Sequence, residues 1–175
     1  GRGEVECEKS EVEPAVNGEQ ETRDVREKQG GKGNAAESHL ALARVHLKAG
    51  RLPEVARLAE AAIEEFNAEG RRLDEARASA LRSLIHIVSN EPAPARRLLA
   101  RAQAATADCQ DMETVLQVTL ARARLERLEG DLKAAVQLAL DTEQRAAACG
   151  YARFAMQARR LVVDINLRSG APPED

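Results

Sequence analysis

Apolar side chains between residues 35 and 170 recur with the spacing of helices that are buried on one side, and the pattern returns after 40 residues. Large apolar residues recur in two columns of this repeat: Val45, Ile85, Leu125, Ile165 and Leu58, Leu98, Leu138. Mostly small residues recur in two others: Ala43, Ser83, Ala123, Val163 and Ala62, Ala102, Thr142. We expect the large residues to be buried between helices and the small ones to let two helices approach closely.

Turn-forming residues keep the same 40-residue period. One series follows four apolar helical stretches: Gly50, Asn90, Gly130 and Gly170. A second series lies midway: Gly70, Gln110 and Gly150. Glycine adopts a positive φ freely and asparagine is the best substitute, so we expect left-handed residues at the first series. The pattern predicts seven helices, at residues 35–49, 53–67, 73–89, 95–107, 112–129, 132–148 and 151–168.

Composition favours helices over sheets. Aromatic residues make up only 2% of the 175 residues, and alanine and leucine supply the apolar mass. We therefore predict an all-α solenoid of about three helix–turn–helix repeats plus a C-terminal capping helix over residues 35–170. Residues 1–34 hold nine acidic and six basic side chains among scattered glycines, which is typical of a disordered tail or linker. Residues 171–175 are predicted to be a second tail.

Charge and cysteine content exclude several classes of function. From residue 35 onward the numbers of acidic and basic side chains are equal, whereas nucleic-acid binders usually have a basic excess. No apolar run approaches the length that spans a membrane. An odd, sparse set of cysteines indicates a reduced, cytoplasmic protein. Two of them, Cys109 and Cys149, occupy the same position in successive repeats, and we expect small buried residues rather than a redox pair.

No sequence motif indicates catalysis, a cofactor or a metal, so we do not expect an enzyme. His46 and His86 are 40 residues apart and could share a metal as stacked neighbours. A good metal site needs three or four ligands, and the next positions in that column are Glu126 and Asn166. We interpret the two histidines as space-filling residues.

The spacing of small residues and turn residues resembles the sequence pattern of the tetratricopeptide repeat (TPR) family. The first unit has it at Ala43, Gly50, Val55, Ala59 and Ala62, and the third at Ala123, Gly130, Ala135, Ala139 and Thr142. The chain departs from the family in its period of 40 rather than 34, and in its aromatic positions, which hold His39, His46, His86 and Glu126. It is similar to the longer-helix units of bacterial signalling proteins. The resemblance implies a right-handed solenoid that binds proteins, as the C-terminal part of a larger protein.

The resemblance also implies a binding site, because the first helix of each TPR pair lines a concave groove. Transferred to this chain, the groove positions carry more basic than acidic residues around an apolar middle. The candidate protein-binding residues are Arg44, Lys48, Leu84, Ile87, Val88, Arg124, Arg127 and Arg160. Such a groove suits a protein or peptide with carboxylates and a leucine or phenylalanine anchor.

Two alternatives remain open at the level of sequence. The apolar residues of the groove could belong partly to the core, with the arginines merely solvated. The segment could also serve self-association, with the last helix burying an apolar face against a second copy in a homodimer.

Overall fold

The computed structural model describes residues 35–170, and this part of the chain consists of seven helices joined by short turns, without a strand. The helices are α1 (35–48), α2 (Leu52–Ala68), α3 (Arg72–Val88), α4 (Pro92–Thr106), α5 (Met112–Glu129), α6 (Leu132–Ala148) and α7 (Ala152–Ser169). The predicted all-α class is confirmed, and the predicted helix ends agree to within three residues. The two segments predicted as tails lie outside the described residues.

The helices form a solenoid in which each pair stacks on the next. Helix α3 contacts α5, and α5 contacts α7, so the odd-numbered helices follow one another in a row. Each even-numbered helix packs between two odd-numbered ones, as α4 does between α3 and α5. Helix α1 joins the row because its Ala36, Leu40 and Ala43 lie in one apolar cluster with residues of α2 and α3. Every helix therefore depends on its neighbours along the stack.

The columns of small residues are buried as predicted. Ala43, Ser83 and Ala123 on the odd-numbered helices have no exposed surface. The same holds, to within 1%, for the column on the even-numbered helices: Ala62, Ala102 and Thr142. Because these side chains are short, the backbones of adjacent helices come close, and the core needs few aromatic residues to fill it.

In one predicted column of large residues, the fully buried position is one residue later than predicted in the second and third units. Leu58 is buried, but Leu98 and Leu138 are only half-buried. The side chain of Leu99 is fully buried instead, in register with Ala59. The residue after each predicted leucine thus faces the core, and the predicted leucines of the second and third units lie at its edge.

Two residues of the predicted core columns are exposed because they lie at the ends of the stack. Val45 is 61% exposed, although Ile85 and Leu125 in the same column are buried against the preceding pair of helices. Val163 on α7 is 47% exposed, whereas Ala123 in its column is covered. The repeat pattern correctly identifies the columns, but a neighbour on each side is needed to bury them.

The predicted left-handed turns occur at all four positions of the first series. Gly130 ends α5 with a φ of 91°, and the N–H of Asp131 then bonds to the carbonyl of Glu126. Asn90 has a φ of 60° and is the one non-glycine residue with positive φ in residues 35–170. Gln110 of the second series does not share this conformation. Helix α4 ends early there, and the thiol of Cys109 accepts the N–H of Asp111 at 3.2 Å.

A polar network fastens the start of α5 to the middle of α3. Arg77 donates from Nε to Thr114 Oγ1 at 2.6 Å and forms an ion pair with Asp111 through Nη2. The hydroxyl of Thr114 in turn donates to Asp111 Oδ2 at 2.7 Å. The hydrogen bond from Thr114, followed by the contacts with Arg77, lowers the pKa of Asp111 below its usual value.

The displaced leucine column can be tested by two neighbouring substitutions. Leu99→Ala should lower the free energy of unfolding by about 2–5 kcal/mol, because it leaves a cavity between α4 and its neighbours. Leu98→Ala removes the same atoms from a half-buried position and should cost about half as much. Denaturant unfolding followed by circular dichroism measures both. Equal losses would contradict the assignment of Leu99 to the core.

The polar network should make stability depend on pH. Asp111→Asn should lower the free energy of unfolding by about 1 kcal/mol at neutral pH. A lowered carboxyl pKa gives stability that is fully present above the ordinary value of 3.8 and is lost as pH falls through the lowered value. The difference between the variant and the wild type should therefore shrink in acid, as measured by urea unfolding at several pH values. Asp108→Asn, at an exposed position, is the control, and a gap that stays constant into acid would count against the network.

Candidate protein-binding surface

Three columns of the odd-numbered helices stay half-buried or exposed along the whole stack, and together they form a surface that we call the inner face. Its residues are Glu37, Arg44, Lys48, Arg77, Leu84, Val88, Gln117, Arg124, Leu128, Gln157, Asp164 and Arg168. Gln117 Nε2 donates to the carbonyl of Arg77 at 3.2 Å, and Arg124 Nη2 donates to Gln157 Oε1 at 3.3 Å. These bonds join α3 to α5 and α5 to α7, so the inner face is continuous.

Charged residues of the three other odd-numbered helices act on Arg44, which lies on the inner face. The pKa of Arg44 on α1 is lowered, chiefly because its guanidinium loses part of its hydration although the residue as a whole is exposed. Glu113 on α5 acts to raise this pKa, and Arg77 on α3 and Arg153 on α7 act to lower it. Arg153 also lies 3.6 Å from Glu113. Arg44 on α1 and Arg153 on α7 are therefore close enough for their charges to interact.

The structure brings most of the predicted binding residues together. Arg44, Lys48 and Val88 are exposed on the inner face, and Arg124 and Leu84 are half-buried there. Leu84 also packs against two apolar clusters, so it belongs partly to the core, as one of the alternatives proposed.

The other three predicted residues differ from one another in their surroundings. Ile87 is only 8% exposed and packs in the core between α3 and its neighbours. Arg127 is half-buried at the edge of the inner face. Arg160 is exposed, but its column in the other helices, Leu40, Ala80 and Leu120, is buried. On the last helix that column is uncovered, so Arg160 lies at the end of the stack rather than on the inner face.

Arg124 and Arg127 differ from the other half-buried arginines because they have no carboxylate partner among the described residues. The half-buried arginines that have one are Arg71, Arg77, Arg82, Arg122 and Arg145. The hydrogen bond of Arg124 goes to a neutral amide, that of Gln157. Burial, and then the charge of Arg127, lowers the pKa of Arg124. Arginine remains protonated at neutral pH, so this end of the inner face holds uncompensated positive charge.

A pocket opens next to these arginines, and we call it the arginine-rimmed pocket. Its volume is about 330 Å³. It is lined by Ile87, Arg127, Leu128, Leu132, Ile165 and Arg168. Four of the six are aliphatic. Arg168 is exposed and, like Arg127, has no carboxylate partner in the described part of the chain. The pocket can therefore accept an apolar side chain with an anionic group beside it.

Two residues that line this pocket, Ile165 and Leu132, were not predicted from the sequence to be part of a site. Ile165 was assigned to a core column, and only 3% of its surface is exposed. Leu132 begins an even-numbered helix, which the resemblance does not place in the groove, and the structure brings it to the pocket because the turn at Gly130 is short. The only signal for Leu132 was an apolar residue directly after the cap residue Asp131, whose carboxylate accepts the N–H of Ala134.

A second cavity of about 440 Å³ lies near the turn between α2 and α3 and includes residues of α4. Its wall contains Glu75 and Arg101, which form an ion pair with each other. Since Glu75 and Arg101 compensate one another, the remaining charge of this wall is that of Arg72. Arg72 is exposed and therefore better hydrated than the half-buried arginines of α5.

The histidines and cysteines of the described residues do not form a metal site. His86 Nδ1 lies 2.6 Å from Glu91 Oε2, and His39 Nδ1 lies 3.4 Å from Glu65 Oε2. Within residues 35–170 no three histidine, cysteine or acidic side chains are close enough to hold a metal ion. Cys109 is only half-buried and Cys149 is exposed, so the expectation that both residues are buried is wrong.

Comparison of the chain with models of known protein families, with curated protein sequences and with solved structures gives no match in any of the three. Among the helices of residues 35–170, none combines the length and apolar character needed to cross a bilayer.

Two arginines on α5 allow a test of the uncompensated charge. Arg124→Gln should raise the free energy of unfolding by about 0.5–1 kcal/mol, because it removes a half-buried cation that repels Arg127. Arg122→Gln, on the same helix and equally half-buried, should lower it by about 0.3–0.5 kcal/mol, because it removes the ion pair with Glu126. Chemical denaturation in the absence of ligand measures both changes. Destabilisation by Arg124→Gln of the same size as by Arg122→Gln would show that Arg124 serves the fold.

Proposed function

We propose that this chain is a protein-interaction module that binds an acidic segment of a partner protein on its inner face. The observation that carries the proposal is the pair of half-buried arginines, Arg124 and Arg127, which have no carboxylate partner in the described residues. A half-buried cation loses part of its hydration, and a ligand carboxylate restores the lost interactions through charge-assisted hydrogen bonds. The fold alone gains nothing from leaving these groups unpaired.

Apolar surface next to the arginines indicates that the ligand carries an apolar side chain in addition to acidic ones. Val88 is 66% exposed on the inner face, close in sequence to Ile87 of the arginine-rimmed pocket. Burial of such surface contributes to affinity, and the arginines select for acidic sequences through guanidinium–carboxylate pairs. The proposed ligand is therefore a segment that carries carboxylates around an aliphatic or aromatic anchor.

The resemblance to tetratricopeptide repeats supports the same function. It extends the proposal to a module that acts in the cytoplasm as part of a larger bacterial signalling protein. Binding in this proposal needs no catalytic group and no cofactor, because shape and charge complementarity are sufficient.

The proposal can be tested with a fluorescently labelled synthetic peptide that has one leucine among glutamates. The wild-type chain should bind this peptide and should bind the version with glutamines in place of glutamates much more weakly, as measured by anisotropy. Arg124→Glu with Arg127→Glu should abolish binding, because each charge-assisted contact contributes about 1.5–3 kcal/mol. Circular dichroism should show an unchanged helical content.

The matched control is Arg57→Glu with Arg97→Glu. These two arginines are exposed, share a column on α2 and α4, and have no carboxylate partner in the described residues. Arg71 is unsuitable because it pairs with Glu37 and lies 4.9 Å from the centre of the Phe66 ring. If the control pair weakened binding as much as the α5 pair, the ligand would bind elsewhere or through charge alone.

A second candidate function, self-association, is favoured by the outer side of α7. Met156, Val163 and Leu167 lie on one stripe of this helix and are 72%, 47% and 75% exposed. In α3 and α5 the next helices of the stack bury the columns of Met156 and Val163. The column of Leu167 is buried at Ile87 and half-buried at Arg127. Sedimentation velocity of the chain and of Met156→Asp with Leu167→Asp decides whether a dimer forms through this stripe.

A further inference from the structure

We infer that residues 4–13 of this chain are themselves a ligand of the inner face, with a valine in the arginine-rimmed pocket and glutamates on the arginines. The inference rests on the proposed function, because it uses the same surface and names an occupant. It assigns a binding role to a segment that the sequence alone indicates only as a tail or linker.

The chemistry of the segment matches the chemistry of the pocket. Residues 4–13 read Glu-Val-Glu-Cys-Glu-Lys-Ser-Glu-Val-Glu, so an aliphatic side chain stands between two carboxylates twice, around Val5 and around Val12. The segment contains five acidic residues and one basic residue, while residues 35–170 hold 20 basic and 18 acidic side chains. The tail thus carries negative charge where the folded part has uncompensated positive charge.

The pocket itself explains why a valine with flanking glutamates fits. Its aliphatic walls, Ile87, Leu128, Leu132 and Ile165, favour a branched apolar side chain. Arg127 and Arg168 stand at the same opening, and neither has a carboxylate partner in the described residues. Carboxylates on the residues directly before and after the inserted valine lie within reach of these two long side chains. Arg124, next to Arg127 on α5, is available to a further glutamate of the segment.

The length of the intervening chain permits this contact within one molecule. Between Glu13 and the first described residue lie 21 residues, which can span at most about 70 Å. The longest helices of the solenoid have 18 residues and are therefore only about 27 Å long. A tethered ligand has an effective concentration of about millimolar, so even a weak contact would be populated. The segment would then compete with any acidic partner for the inner face.

A nitroxide on Cys7 tests the inference directly, because this thiol lies between the two valine motifs. The full chain with Cys109→Ser and Cys149→Ser carries the label at that one position. Methyl NMR should show strong broadening of Leu128 and Leu132, which line the pocket. Leu58, buried between the first helices, should keep its intensity. High salt should remove the broadening, because it screens the charges.

Matched variants of the tail separate specific docking from general charge attraction. Val5→Ser with Val12→Ser should reduce the population of the docked state about tenfold or more, because neither motif then has a valine to enter the pocket. Glu4→Gln with Glu11→Gln should also reduce it, by about tenfold for each lost contact. Glu19→Gln with Glu21→Gln removes the same charge outside the segment and should have little effect.

The results of these experiments distinguish failure of this inference from failure of the proposed function. An absence of broadening at the pocket, or broadening that the valine variants do not change, would overturn the inference. If the labelled tail has no effect on the pocket while the synthetic acidic peptide binds through Arg124 and Arg127, the proposed function stands and only this inference fails. If the tail docks and the added peptide does not bind even after residues 1–33 are deleted, the surface serves the tail and the proposed function fails. Mixing labelled chain with unlabelled, isotope-enriched chain shows whether docking occurs within one molecule or between two copies.

Discussion

The close approach of adjacent helices through small side chains is the constraint on which this structure depends. The side chains between adjacent helices are small and fully buried at Ala43, Ser83 and Ala123. Each helix pair can therefore pack on the previous pair in the same way. Because the sequence repeats every 40 residues, the same close packing recurs in each unit, and the core does not need aromatic residues. A larger residue in such a column would push two helix backbones apart, because overpacking is relieved by movement of the backbone. The displacement would affect the whole row of odd-numbered helices and not only the one helix–helix contact.

The same stacking creates the inner face and explains its unusual charge. Odd-numbered helices lie side by side, so Arg124 on α5 is half-buried and its guanidinium donates to Gln157 on the next odd-numbered helix. At other half-buried positions a carboxylate compensates the arginine, as Glu126 does for Arg122. At Arg124 and Arg127 the neighbours are an amide, each other and aliphatic groups. Stability alone disfavours this arrangement, and binding surfaces are where proteins retain such unfavourable local choices.

Local features of this fold were predictable from the sequence, and features that depend on the whole stack were not. The left-handed turn at Gly130 follows from residue chemistry and short-range hydrogen bonds, and so do the helix ends. Exposure of Val45 and the position of Arg160 depend on which helices have a neighbour on both sides, and a column of residues does not contain that information. The early end of α4, which frees Gln110 from the left-handed conformation, and the appearance of Leu132 in the pocket depend on how a turn packs in three dimensions. The basic character of the inner face was predictable from the sequence, but the absence of carboxylate partners for Arg124 and Arg127 in the described residues could be seen only from distances between helices.

The arginine-rimmed pocket has one further consequence for how the molecule holds together. Its walls come from three successive units of the stack, through Ile87 on α3, Leu128 on α5 and Ile165 on α7. In a one-dimensional array, cooperativity arises only where one unit touches the next, and the terminal unit has a single neighbour, so it opens most easily. A side chain inserted among these three residues adds a contact that extends beyond nearest neighbours. Occupancy of the pocket would therefore suppress local opening of the last helix and make the end of the array unfold together with its centre.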